Sequence, residues 1–108
     1  MIRLASTLFL LVAFSFSAMA ISADKMAGES RYSESCINCH GPAGKGVASY
    51  PKISGNEISY TKSKLEAYRK GIKQGPNSSL MIMMAMSLTD GEIENLAAYL
   101  KDAKYNNN

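Results

Sequence analysis

The five residues Cys36-Ile37-Asn38-Cys39-His40 constrain this chain more than any other feature, because they set both cysteines and the only histidine in consecutive reach. Few purposes need three metal-ligating side chains so close together, and the rest of the sequence narrows them. The N-terminus reads Met1-Ile2-Arg3, an apolar run from Leu4 to Phe16, then Ser17-Ala18-Met19-Ala20, with small residues where a signal peptidase cuts. This predicts an export leader over residues 1–20 and a mature domain over residues 21–108. The apolar run is shorter than the roughly 18 residues of a spanning helix, so no stable membrane span is expected once the leader is removed.

Taking 20 residues from 108 leaves 88, a single small domain whose apolar core alone gives marginal stability. Something else is expected to staple it. Taking Arg3 from the 12 basic residues leaves 11 against 9 acidic ones, a mature charge near +2. That is too mild for a nucleic-acid binder, where a basic stripe would stand out. Lys62, Lys64, Arg69, Lys70 and Lys73 make the middle of the chain basic, as a solvated helix face does.

Thr89-Asp90-Gly91-Glu92 has the form of a capping box, and Ile93, Leu96, Ala97 and Leu100 then repeat at helical spacing. A helix is predicted from about Asp90 to Ala103. A second is predicted from about Glu57 to Lys70, with Ile58, Leu65, Tyr68 and Ile72 near one face and Gly71 as the C-terminal stop. A first helix from Ala23 to about Cys36 carries Met26, Tyr32 and Cys36 on one side, with Gly28 as a site of close helix crossing. Gly41, Pro42, Gly44, Gly46, Pro51 and Gly55 punctuate one loop, and Gly71, Gly75 and Pro76 another. Alternating strand patterns are absent, so the domain reads as all-α: three main short helices and long loops, which bury little apolar area for their length.

Four readings compete for the cysteine–histidine stretch. A disulfide closing so small a loop constrains the unfolded chain weakly and leaves His40 unused. A thioredoxin-like redox pair needs a strand ahead of it. A closed structural zinc site needs four ligands, and the inventory of cysteine and histidine stops at three. Covalent haem attachment is the reading for which this spacing is the recognised signature. Two cysteines three apart at a helix end lie on one side of it, so both sulfurs reach the vinyl groups of one porphyrin. His40 follows as the proximal iron ligand, and Gly41, without a side chain, lets the backbone pass close to the ring. The haem is then also the missing staple.

These residues resemble the class I cytochrome c family, in particular its small bacterial members of the c553 and c4 type. The resemblance rests on Gly28 and Tyr32; on Cys36 to Gly46; on Pro51-Lys52-Ile53-Ser54-Gly55; on Tyr60, Leu65, Tyr68, Arg69 and Gly71; on Asn77 and Met81; and on Leu88 to Ile93 leading into Leu96-Ala97-Ala98-Tyr99. It covers nearly the whole mature chain. It implies a class I cytochrome c fold wrapped around one haem c, with Gly28 and Tyr32 against the last helix near Tyr99. It also implies that the Pro51 carbonyl accepts a hydrogen bond from His40 Nδ1, as metal-bound histidines generally require of a neighbour.

A haem iron with one histidine has a second axial position. Met1 and Met19 fall in the leader, Met26 in the first helix, and Met83 and Met86 fall out of register with the family pattern. In the resembled family the ligand methionine precedes the leucine at Leu88 by seven residues, which implies Met81, with Met84 packing on the porphyrin; a slip of register to Met84 is the alternative. The rest of the methionine run reads as core filling. A thioether opposite an imidazole favours ferrous iron and leaves no substrate position.

The expected function is therefore one-electron transfer by a periplasmic monohaem carrier in a respiratory or oxidative chain, between redox protein partners, and not enzymatic turnover. Two alternatives stand beside it. One is the cytochrome subunit of a larger redox enzyme, similar to flavocytochrome c sulfide dehydrogenase, taking electrons from a flavin partner. The other is a gas-binding or peroxidatic haem, which requires that Met81 not bind. Lys45, Lys52, Lys62 and Lys64 are candidates for a docking ring about the haem edge, against the plainer reading of solubility.

Overall fold

A computed structural model describes residues 11–15 and 23–107. The leader boundary expected at Ala20 lies outside the described residues. Asp24 starts the first helix: its carboxylate accepts from the backbone N–H groups of Met26 at 2.9 Å and Ala27 at 3.1 Å, which satisfies two donors that the first turn leaves open. Helix α1 spans Lys25–Arg31. It runs into a π-helical turn, Tyr32–Cys36, and then into α2, Ile37–His40. The helix thus continues through His40, four residues beyond its expected end at Cys36.

Helix α3 spans Ile58–Arg69, α4 spans Ser78–Ala85, and α5 spans Asp90–Asp102. The all-α expectation holds: the β-pairing among the described residues is one isolated bridge between Val47 and Tyr50. Gly71 ends α3 with φ +80°, the left-handed conformation that glycine adopts without a side-chain penalty. Helix α4 is an addition to the three main helices read from the sequence.

The fold is held where α1 crosses α5. A β-carbon on Gly28 would lie 2.0 Å from the Asn95 carbonyl oxygen and 2.9 Å from Tyr99 Cβ, so only glycine lets the helices approach this closely. Asp24 N–H donates to Asn95 Oδ1 at 2.8 Å, Lys25 pairs with Asp102, and Arg31 Nε donates to Glu92 Oε2 at 2.6 Å. Arg69 ties α3 to the start of α5, reaching the Leu88 carbonyl at 3.1 Å and Asp90 Oδ1 at 2.6 Å.

The core joins Tyr32, Ala85, Leu88, Ile93, Leu96 and Leu100, with Leu65 and Tyr68 packed against it. Three expected apolar positions are not part of it: Ile58, at the start of α3, is only half-buried, and Met26 and Ile72 are exposed. Met26 is 80 % exposed, because six residues at about 100° each put it roughly 240° around the helix from Tyr32. Gly28, one turn before Tyr32, takes the buried place. Ile72 is exposed because it follows the reversal at Gly71 and leaves the face of α3.

Candidate haem site

The crossing of α1 and α5 fixes the stretch that carries the chemistry. Tyr32 is buried to 1 %, sits 5.5 Å from Tyr99 between ring centroids, and donates its hydroxyl to the Gly41 carbonyl. Burial pushes that hydroxyl up to about 12. Arg31 NH1 reaches Ser35 Oγ at 2.8 Å, bracing the π-turn from outside. Turns of this kind are short interruptions of a helix that recur at functional sites. Here the turn ends at Cys36, so it sets the direction from which the first thiol leaves the helix.

Cys36 and Cys39 are half-buried free thiols; they form no disulfide, and burial pushes the Cys36 thiol up. Among the described residues no group of three or more His, Cys, Asp or Glu is gathered that could hold a metal ion. His40 is 7 % exposed. Its Nδ1 lies 2.8 Å from the Pro51 carbonyl oxygen, and since a carbonyl only accepts, Nδ1 carries the proton. Nε2 is then the nitrogen with a free lone pair. The Tyr50 ring meets His40 edge-on, at 6.3 Å between centroids and 71° between planes. No signal in the sequence marked Tyr50 beyond its place beside Pro51.

The loop that brings Pro51 to His40 turns on glycines. Gly41 has φ +78°, and a β-carbon there would lie 2.6 Å from Val47 Cγ2. It does not line the cleft described below; its contribution is the backbone reversal after His40. Gly46 N–H donates to the His40 carbonyl at 2.7 Å, Ile53 N–H to the Gly44 carbonyl at 2.9 Å, and Gly55 N–H to the Leu100 carbonyl at 2.9 Å. The loop is thereby pinned at both ends.

Facing His40 is α4. Ser78 closes the entry to this helix, accepting from Gln74 N–H at 2.8 Å and donating to the Gly75 carbonyl at 2.9 Å. Between α2 and α4 opens a cleft of about 860 Å³, in the size range of cofactor sites. Cys36, Cys39 and His40 line it from α2 and the π-turn, and Met81 and Met84 line it from α4. Leu88, Leu96 and Leu100 are both cleft lining and core, so the apolar interior opens directly into the cleft. Two thiols at one helix end, an imidazole with a free Nε2 and a thioether among largely apolar walls form a donor set that fits a haem.

The four candidate docking lysines separate in the structure. Lys52 and Lys64 line the cleft. Lys45 stacks over the Tyr105 ring at 3.9 Å from its centroid, and Lys62 pairs with Glu94.

The family model "Cytochrome c" matches residues 26–104. The chain is 42 % identical over 77 residues to cytochrome c-554(548) of Halomonas halodenitrificans, covering 70 % of this chain and 92 % of that protein. It is 38 % identical over 65 residues to the thiosulfate dehydrogenase electron acceptor of Stutzerimonas stutzeri, covering 59 % of this chain and 30 % of that one. In structure it is similar to reduced recombinant cytochrome c4 from Pseudomonas stutzeri, with a TM-score of 0.67 and 27 % identity over 77 % of this chain and 51 % of that chain. The chain thus spans nearly all of one relative, about half of another and under a third of the remaining one. With the helices, the cleft and the family model in agreement, the chain belongs to the cytochrome c family and is an electron carrier built on covalently bound haem c.

Proposed function

We propose that Cys36 and Cys39 hold the haem by thioether bonds, that His40 Nε2 and Met81 are its axial ligands, and that the protein works in the periplasm after loss of residues 1–20. The observation that supports this most is that His40 and Met81, carried by different helices, line one and the same cleft, with Nδ1 anchored on Pro51. When bound, the haem supplies a single exchangeable electron.

The chain's own residues do the rest. Pro51 keeps the His40 proton on Nδ1 and aims Nε2 into the cleft. The Met81 thioether, a soft donor opposite an imidazole, favours the reduced state. Leu88, Leu96 and Leu100 keep water from the floor. Ligands held by packed helices move little when charge changes, so transfer needs little rearrangement.

The similarity to the thiosulfate dehydrogenase electron acceptor of Stutzerimonas stutzeri points to a thiosulfate dehydrogenase as the class of electron donor. The subunit reading draws on the exposed Leu80 and Met83 of α4 and Met86 at its C-cap, an apolar face that a larger partner would cover. Stable co-purification with a flavoprotein would favour it over a free carrier.

The test is an optical spectrum of protein matured with haem-attachment machinery, in ferric and ferrous states. Methionine ligation gives a weak far-red ferric band, which Met81→Ala abolishes and Met84→Ala retains. Loss of the band in Met84→Ala alone moves the ligand to Met84. Carbon monoxide binding to the reduced wild-type protein at neutral pH overturns the six-coordinate assignment.

A further inference from the structure

Helix α4 and its cap residue carry four methionines, and the cleft uses two of them. Met81 and Met84 line it; Met83 and Met86 do not, and these two are 67 % and 65 % exposed. Three properties of this pair converge on one chemistry. The first is spacing. Met86 caps α4 with helical dihedrals, φ −57° and ψ −33°, so residues 83 and 86 leave the same face with β-carbons about 5–6 Å apart. Long, unbranched thioethers on such a base can close on one ion.

The second property is charge. The last turn of a helix carries partial negative charge that a basic side chain ordinarily answers. The last turn of α4 has none, and no ionisable residue lies between Lys73 and Asp90. Arg69, which donates to the Leu88 carbonyl beyond the helix at 3.1 Å, is itself paired with Asp90 at 2.6 Å, so its charge is already answered when a cation approaches this end of α4. The third is softness: thioethers select copper(I) over harder ions.

We propose that Met83 and Met86 form a surface site for copper(I) at the C-terminal end of α4, with both sulfurs as ligands and solvent completing the shell. Binding changes no oxidation state, since copper(I) enters and leaves as the same ion.

The test uses the reduced holoprotein with ¹³C-methyl methionine, titrated anaerobically with copper(I); ferrous low-spin iron and copper(I) are both diamagnetic, and the reduced protein takes no electron from the ion. The expected result is that the Met83 and Met86 methyl resonances move together and saturate at a single equivalent. Met26 is 80 % exposed but has no second methionine within a turn of it, and its methyl resonance stays in place. Met83→Leu and Met86→Leu each weaken binding by about tenfold or more, the loss of the second arm of a chelate, with the haem spectrum unchanged. The assignment is overturned if Met26 moves over the same copper(I) range, if either leucine variant binds as tightly as the wild-type protein, or if neither methyl moves in a large excess of copper(I).

Discussion

Tyr32 shows how one side chain can face opposite demands. Its hydroxyl donates to Gly41 from a site sealed off from water, so Tyr32→Phe should cost about 1 kcal/mol at neutral pH, the net worth of a hydrogen bond. In alkali the order reverses. Because burial raises the folded value from 10.0 to about 12, this group leaves stability untouched below pH 10, and the fold loses on the order of 3 kcal/mol as pH rises through 10 to about 12, since the unfolded chain ionises first. Urea unfolding of the reduced protein at pH 8 and at pH 11.5 checks it: the phenylalanine variant should lose less over that interval, and a wild-type protein with an equally flat profile would refute the account. Gly28 permits a plainer forecast. Alanine there must push the Asn95 carbonyl away, at a cost of about 3 kcal/mol, read as a fall in the urea midpoint with the haem spectrum intact. Residue identity was most legible where chemistry leaves few options: Cys36, Cys39 and His40 announce themselves by type and spacing. Met26 did not behave as expected, because a rotation of 240° is hard to see in a list of apolar letters.

At the level of elements, the helices most readable in the sequence are those with explicit ends. The box at α5 forms as expected, Glu92 N–H donating to Thr89 Oγ1 at 3.1 Å and Thr89 N–H to Glu92 Oε1 at 3.1 Å. Thr89→Ala should therefore cost about 1–2 kcal/mol. The Thr89 backbone hydrogen bond, helped by Arg31, holds the Glu92 carboxyl below its ordinary value of 4.5. Its contribution is complete above that value and fades as pH falls through the lowered one. Thermal unfolding between pH 6 and pH 3 should show a shallower acid loss for Glu92→Gln than for the wild-type protein; equal slopes would remove the carboxylate from the account. Helix α4 was not legible as a helix because Leu80 to Met86 is apolar on every side and offers no stripe. The π-turn was not legible either. It is accompanied by Tyr32 reaching the Gly41 carbonyl and Arg31 reaching Ser35, contacts that no periodicity in the sequence announces.

For the molecule as a whole, the short inventory of fully buried large side chains, Tyr32, Ile93 and Leu96, explains why the sequence demanded a staple. Leu88, Leu96 and Leu100 border the cleft as well as the core, so without a haem the interior of the domain is open to water. A Cys36→Ser, Cys39→Ser double variant made without haem attachment should show little helical circular dichroism and no cooperative melt; a sharp thermal transition would show that the polypeptide stands alone. The clasp between first and last helices has one more consequence. Asp24 meets Asn95 and Lys25 meets Asp102 across sequence separations of 71 and 77, so closing it pays the entropy of nearly the longest loop this domain can make. Were the chain exported as proposed, a polypeptide still being threaded across the membrane would lack the far half of that clasp. Its two thiols would then emerge on slack polypeptide, within reach of a ligating enzyme before any tertiary shell could shut them away.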